Sequence, residues 1–149
     1  MYQCSHFALE ELFSPDMMSL SPATLWGMWN ERILRAADLI RDKHGRIQVN
    51  TWKLSNTPTK FFWRGYRTPD CSEGAKFSRH RFCGALDLSP LDATAEQIRA
   101  WLRTQPVELR GLIARVEEGL DEKTGKERSW VHIDDGNTGR LDYIYFFKP

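Results

Sequence analysis

Cysteine is scarce in this chain. Among 149 residues there are three, Cys4, Cys71 and Cys83, an odd number without CxxC spacing. That excludes a disulfide framework and a Cys-based zinc cage, and leaves reduced thiols as the expectation. Charge of a prevailing sign is also missing: 21 Lys plus Arg stand against 20 Asp plus Glu, a net charge of +1. Nothing in that balance points to a phosphate backbone or an anionic surface, so no nucleic-acid partner is expected. Long apolar runs are absent, no segment reaching the roughly 18 residues of a membrane span, and membrane insertion is not expected. The first residues, Met1-Tyr2-Gln3-Cys4-Ser5-His6-Phe7, have neither the basic nor the apolar part of an export signal. With no repeat, low-complexity tract or linker, the chain is expected to be one monomeric domain over 1–149.

The periodicities divide it into short elements. Ser21-Pro22 reads as an N-cap with proline at the first helical position. Leu25, Trp29, Ile33, Ala37 and Ile40 then recur every three or four residues, which predicts one amphipathic helix to about Lys43, with Gly45 as its stop. Ile47, Val49 and Thr51 alternate with polar residues as in a half-buried strand. Residues 53–79 show prolines, glycines and aromatics without a period, a long ordered loop of the sort that usually carries function. A strand is expected at 85–88, and a second helix opens in 90–94 and runs until Pro106 prevents its continuation. Strands at 112–116 and 129–133 flank a charged loop over 117–128, and 141–147 reads as a terminal strand.

Chemistry concentrates in two of these segments, both with the look of strand edges. Ser78-Arg79-His80-Arg81-Phe82-Cys83-Gly84-Ala85-Leu86-Asp87 sets a histidine and an aspartate with six residues between them, and Trp130-Val131-His132-Ile133-Asp134 supplies a second histidine. Strand alternation puts Trp130, His132 and Asp134 on one face and Val131 and Ile133 on the other. Two nitrogen donors and one carboxylate leave zinc an open position, where a water's pKa falls to roughly 7; a structural site is closed by four ligands and is usually Cys-rich. A lone histidine on a strand is more often a satisfied polar residue, and His6 and His44 are read that way. Cys83 is read as a small buried filler rather than a fourth ligand.

The frame Ser78-x-His80-x-x-x-Gly84-Ala85-x-Asp87, with Gly65-Tyr66-Arg67 before it and Trp130-Val131-His132-Ile133-Asp134 far downstream, resembles the zinc D-alanyl-D-alanine carboxypeptidase family, and in particular its short phage and prophage members. The similarity runs over nearly the whole chain. It implies a Hedgehog/DD-peptidase-like α+β fold, a small antiparallel sheet with helices packed on one side. It also implies that His80, Asp87 and His132 hold one zinc ion and that Arg67 binds the scissile carbonyl or the substrate carboxylate, with Ser78 and Trp130 beside the substrate. The substrate it implies is the stem peptide of peptidoglycan, cut by an endopeptidase or trimmed by a carboxypeptidase. Cytoplasmic synthesis without an export signal then requires that the wall be reached after lysis or from a phage particle.

Many family members carry a carboxylate three residues before the last histidine as general base, and this chain has Ser129 there. Glu127 is the first substitute and Asp134 the second, with Glu117 or Glu118 within reach from the neighbouring strand. The alternative to an enzyme is a non-catalytic, zinc-stabilised module that binds cell wall or a phage structural protein.

Overall fold

Helix and strand signals in this chain are short, and so are the elements they produce. The computed structural model describes residues 1–120, 124–140 and 142–148. Four helices occur among them: α1 (Leu9–Leu12), α2 (Pro22–Met28), α3 (Glu31–His44) and α4 (Ala95–Arg103). Five strands, β1 (Ile47–Gln48), β2 (Ala85–Pro90), β3 (Arg115–Glu117), β4 (Val131–Asp134) and β5 (Tyr145–Phe147), form one sheet in the order β1-β2-β4-β3-β5. The result is one small α+β domain, in which no described helix is long and apolar enough to cross a membrane.

The expected single helix over 22–43 is two. Ser21 caps α2 through Thr24 N and Pro22 occupies its first turn, but the chain turns extended at Trp29 and restarts at Asn30, whose side chain accepts from Arg32 N at 3.0 Å. The apolar stripe crosses this break without a change of spacing, because Trp29 packs edge-on against Phe13 at 5.8 Å between ring centroids. The amide of Asn30 also donates to Asp135, tying the start of α3 to the end of β4. The second helix begins later than 90–94. Thr94 and Gln97 cap one another's backbone in a capping box, so Ala95 is its first residue.

Alternation gives the sheet two unlike faces. Leu86, Leu88, Val116, Val131 and Ile133 are fully buried and join one core with Ile33, Leu34, Ala37 and Ile40 of α3 and Ile98 and Leu102 of α4. The residues between them, Asp87, Arg115, Glu117, His132 and Asp134, belong to the other face. Antiparallel register sets Asp87 directly across from His132 and Asp134 across from Arg115.

The sheet is mixed, not purely antiparallel. β5 runs parallel to β3, with Val116 opposite Phe146. β4 is already flanked by β2 and β3, and the chain leaving it adds at the outer edge of β3, where a strand antiparallel to β4 is parallel to β3. Of the expected terminal strand 141–147, only 145–147 are in the ladder, and Leu141 lies outside the described residues, as do 121–123 of the charged loop.

Candidate metal centre and its cleft

Three elements deliver the three candidate ligands. Asp87 stands mid-strand in β2 and His132 in β4, cross-strand neighbours fixed by the ladder. His80 is not at a strand edge. It sits in a short 3-10 helix, Arg79–Phe82, which ends at Cys83 in the left-handed conformation (φ 50°) immediately before β2. That helix is anchored from the far side: Asp135 accepts Arg79 Nε at 2.6 Å, while its own N–H donates to the Gly84 carbonyl at 3.0 Å. A Cβ on Gly84 would lie 2.4 Å from the Asp135 carboxylate, so only glycine permits this approach. Asp135 therefore holds the His80 segment, Asn30 and the end of β4 together.

The facing atoms converge. Nε2 of His80 lies 3.3 Å from Nδ1 of His132 and 3.3 Å from Oδ1 of Asp87, and His132 Nδ1 lies 2.8 Å from that same oxygen. Tetrahedral ligands about 2.0–2.1 Å from a zinc ion stand about 3.3 Å from each other, so this donor set fits a divalent ion with one corner open. The outward nitrogens are also held. His80 Nδ1 donates to the Gly65 carbonyl at 2.7 Å, and His132 Nε2 pairs with Asp134 Oδ2 at 3.1 Å. A carbonyl and a carboxylate behind the two imidazoles fix tautomer and ring orientation, as they do around metal-ligating histidines generally. Together His80, Asp87 and His132 form a largely buried group that could hold a metal ion. Cys83 takes no part: its thiol is buried, and burial pushes its pKa up to about 12.

Electrostatics follow from the contacts. Burial lowers the pKa of His80, which is thereby neutral and ready to ligate. Burial acts in the same direction on His132, but its hydrogen bonds to the Asp134 and Asp87 carboxylates outweigh it and push the pKa up to about 9. An incoming ion must therefore displace a proton from between two carboxylates. Burial opposes ionisation of Asp87, yet the two imidazoles hold its carboxyl well below the ordinary range.

Arg67 braces the centre. Its guanidinium donates to Asp87 Oδ2 at 3.0 Å and to the Trp63 carbonyl at 2.7 Å, leaving Oδ1 of Asp87 turned towards the histidines. Gly65 allows the chain to pass here. A Cβ on it would lie 2.1 Å from the Leu12 carbonyl oxygen, which accepts the Tyr66 N–H at 2.8 Å. Gly65→Ala is expected to cost about 3 kcal/mol in chemical denaturation, since backbone cannot yield as a side chain does. It should also weaken metal binding about 10-fold in a chelator competition, by shifting the carbonyl behind His80.

The ligands open into a cleft of about 450 Å³ whose lining includes Arg67, Ser78, Arg115, Glu117, Arg128 and Trp130. Ser78 and Trp130, expected beside the substrate, both line this cleft. The two first-ranked general bases are not free for that work. Asp134 is saturated: Arg115 donates to both its oxygens at 2.8 and 2.9 Å, Gly136 N to Oδ1 at 2.7 Å, and His132 occupies Oδ2. Glu127 is exposed and lines a separate depression with Glu96 and Arg103, because a bridge between Leu120 and Glu127 closes the charged loop before β4 begins. Glu117 instead lines the cleft, from β3, with its carboxylate against Arg128.

Arg99 makes that arrangement possible and gave no sign of it in sequence beyond being a charge on the inward face of α4. It is 1% exposed, pairs with Glu96 at 2.9 Å, and donates to the carbonyls of Trp130 and Arg128 at 3.1 and 3.3 Å. Arg115, equally unanticipated, shares the alternation of Glu117 in β3. Searches of protein-family models, of curated proteins and of solved structures returned no match to this chain.

Proposed function

We propose that this chain is a zinc metallopeptidase of the D-alanyl-D-alanine carboxypeptidase kind, with the Hedgehog/DD-peptidase-like fold, acting on peptidoglycan stem peptides from a phage particle or during lysis. The observation that carries it is the convergence of His80 Nε2, Asp87 Oδ1 and His132 Nδ1 in a cleft with one side open. When bound, zinc supplies Lewis acidity for the scissile carbonyl and lowers the pKa of a water to about 7. The protein's own groups do the rest. Arg67 holds Asp87 in its ligating orientation and presents positive charge to the oxygen that develops negative charge. Glu117 accepts a proton from the attacking water as the C–O bond forms and returns it to the departing nitrogen as the C–N bond breaks. Arg128, paired with Glu117, holds that carboxylate in place. Trp130 and Phe147 wall the cleft and exclude water from it.

The test is incubation of the zinc-loaded protein with murein sacculi and with linear stem peptides. New amino groups or free D-alanine are expected, and their release should stop on chelation and return with zinc. A metal-loaded chain inert on both substrates overturns the enzymatic reading. Binding of murein without turnover would then favour the module that only holds cell wall, a reading the serine at position 129 keeps open.

A further inference from the structure

Residues 68–78 reach the metal cleft without a regular element, and Gly74, Ala75, Phe77 and Ser78 line it. Cys71 is their one buried residue, and 72–77 are exposed throughout. Apolar burial therefore does little to hold this wall. Its backbone bonds, from Cys71 N–H to the Thr68 carbonyl and from Ser78 N–H to that of Ala75, close on the segment itself. One side chain ties it to the domain. Arg81 Nη1 donates to the carbonyls of Thr68 and Pro69 at 2.7 and 2.5 Å, Nη2 to that of Cys71 at 2.6 Å, and Nε to that of Ala75 at 3.4 Å. Among the described residues no other hydrogen bond leaves 68–77. Arg81 follows His80 in the same 3-10 helix, so the candidate metal ligand and the wall share one support. The wall also meets the brace of Asp87, since Gly74, at φ 78°, lies against the Arg67 guanidinium.

The wall carries one large apolar group. Phe77 is 76% exposed at the rim of the cleft, an aromatic ring left in water where a ligand in the cleft would cover it. The planar fork of Arg81 gathers four carbonyls into one arrangement and so fixes the ring's position without a core beneath it. We propose that Phe77 is a substrate-binding residue that packs on the apolar side of the bound peptide, and that Arg81 positions it by clamping 68–78 to the helix that carries His80. The wall is set before the peptide arrives, which spares binding the cost of ordering a loop. This inference rests on the peptidase reading above for the identity of the ligand.

The experiment is calorimetric titration of the zinc-loaded protein with an uncleavable ketomethylene isostere of N-acetyl-D-alanyl-D-alanine, together with amide hydrogen exchange over 68–78. Phe77→Ala should weaken binding about 10-fold, the worth of a partly covered aromatic ring, with zinc content unchanged. Arg81→Ala should do the same, and the double variant should be no weaker than either single one, because the arginine acts through the ring. Arg81→Lys, which keeps the charge and reaches some of the carbonyls, should recover part of the loss. Exchange at the Cys71 and Ser78 amides should quicken at least about 10-fold in Arg81→Ala and stay native in Phe77→Ala. Native affinity in Phe77→Ala, additive losses in the double variant, unchanged exchange in Arg81→Ala, or a native chain that does not bind the isostere overturns the proposal. Hydrolysis of stem peptides with native affinity in Phe77→Ala removes the wall and leaves the enzyme. Ring-dependent binding without hydrolysis removes the enzyme and leaves the wall standing.

Discussion

His132→Ala is expected to lower zinc affinity by more than about 100-fold and to abolish turnover, with His80→Ala and Asp87→Ala close behind. The bound follows from comparison: removal of a partner behind a ligand already costs about 10–100-fold, and loss of the ligand itself costs more. His132 has the largest effect because it serves two layers. Nδ1 faces Asp87 and His80, while Nε2 engages Asp134, which in turn holds Arg115. Its removal leaves Asp87 and Asp134 without the group that separates them. Asp134→Asn, which keeps shape and removes charge, should fall in the 10–100-fold range and so separate orientation from ligation. Chelator competition with metal analysis measures all four chains. A His132→Ala protein that binds zinc as the native chain does would show that the three side chains do not form the metal site.

The convergence of the candidate ligands was legible in sequence because spacing and alternation go far towards it. Asp87 and His132 need only period-two strands and a register to meet, and the burial of Val131 and Ile133 fixes which face His132 takes. What was not legible depends on contacts remote in the chain. The break at Asn30 is invisible to an apolar stripe that continues through it, since Trp29 is buried whether its backbone is helical or extended. The parallel β5 follows from which strand edges are already occupied, a property of the assembled sheet. The partners of the two first-ranked bases were hidden for the same reason. Asp134 has the right face and proximity, but its oxygens are taken by the Gly136 N–H two residues on and by Arg115 from the neighbouring strand, a partner that no local pattern marks. Glu127 has proximity in sequence alone. Gly65, read as part of a motif, is required because its chain crosses the Leu12 carbonyl 53 residues away.

Glu117→Gln is expected to reduce kcat by about 10²–10⁴ with metal content unchanged, the usual contribution of a positioned general base. Four carboxylates compete for the role, and the geometry separates them, Glu118 lining the same depression as Glu127. Asp134 has no free lone pair for a water, Glu127 faces another depression, and Glu117 lines the cleft from the strand beside His132. The glutamine keeps the volume and a hydrogen bond to Arg128 but cannot accept a proton, so the loss should fall on kcat rather than on KM. The acidic limb of the kcat profile against pH, which reports a base that must be ionised, should vanish with it. Arg128→Met serves as the companion variant: it removes the ion pair and leaves the carboxylate, and a smaller loss of kcat is expected. Glu127→Gln should change turnover by less than about twofold, as surface substitutions away from a site do. Retention of most activity by Glu117→Gln, with loss in Glu127→Gln, would mean that the charged loop folds over the cleft during the reaction and that β3 supplies only a wall.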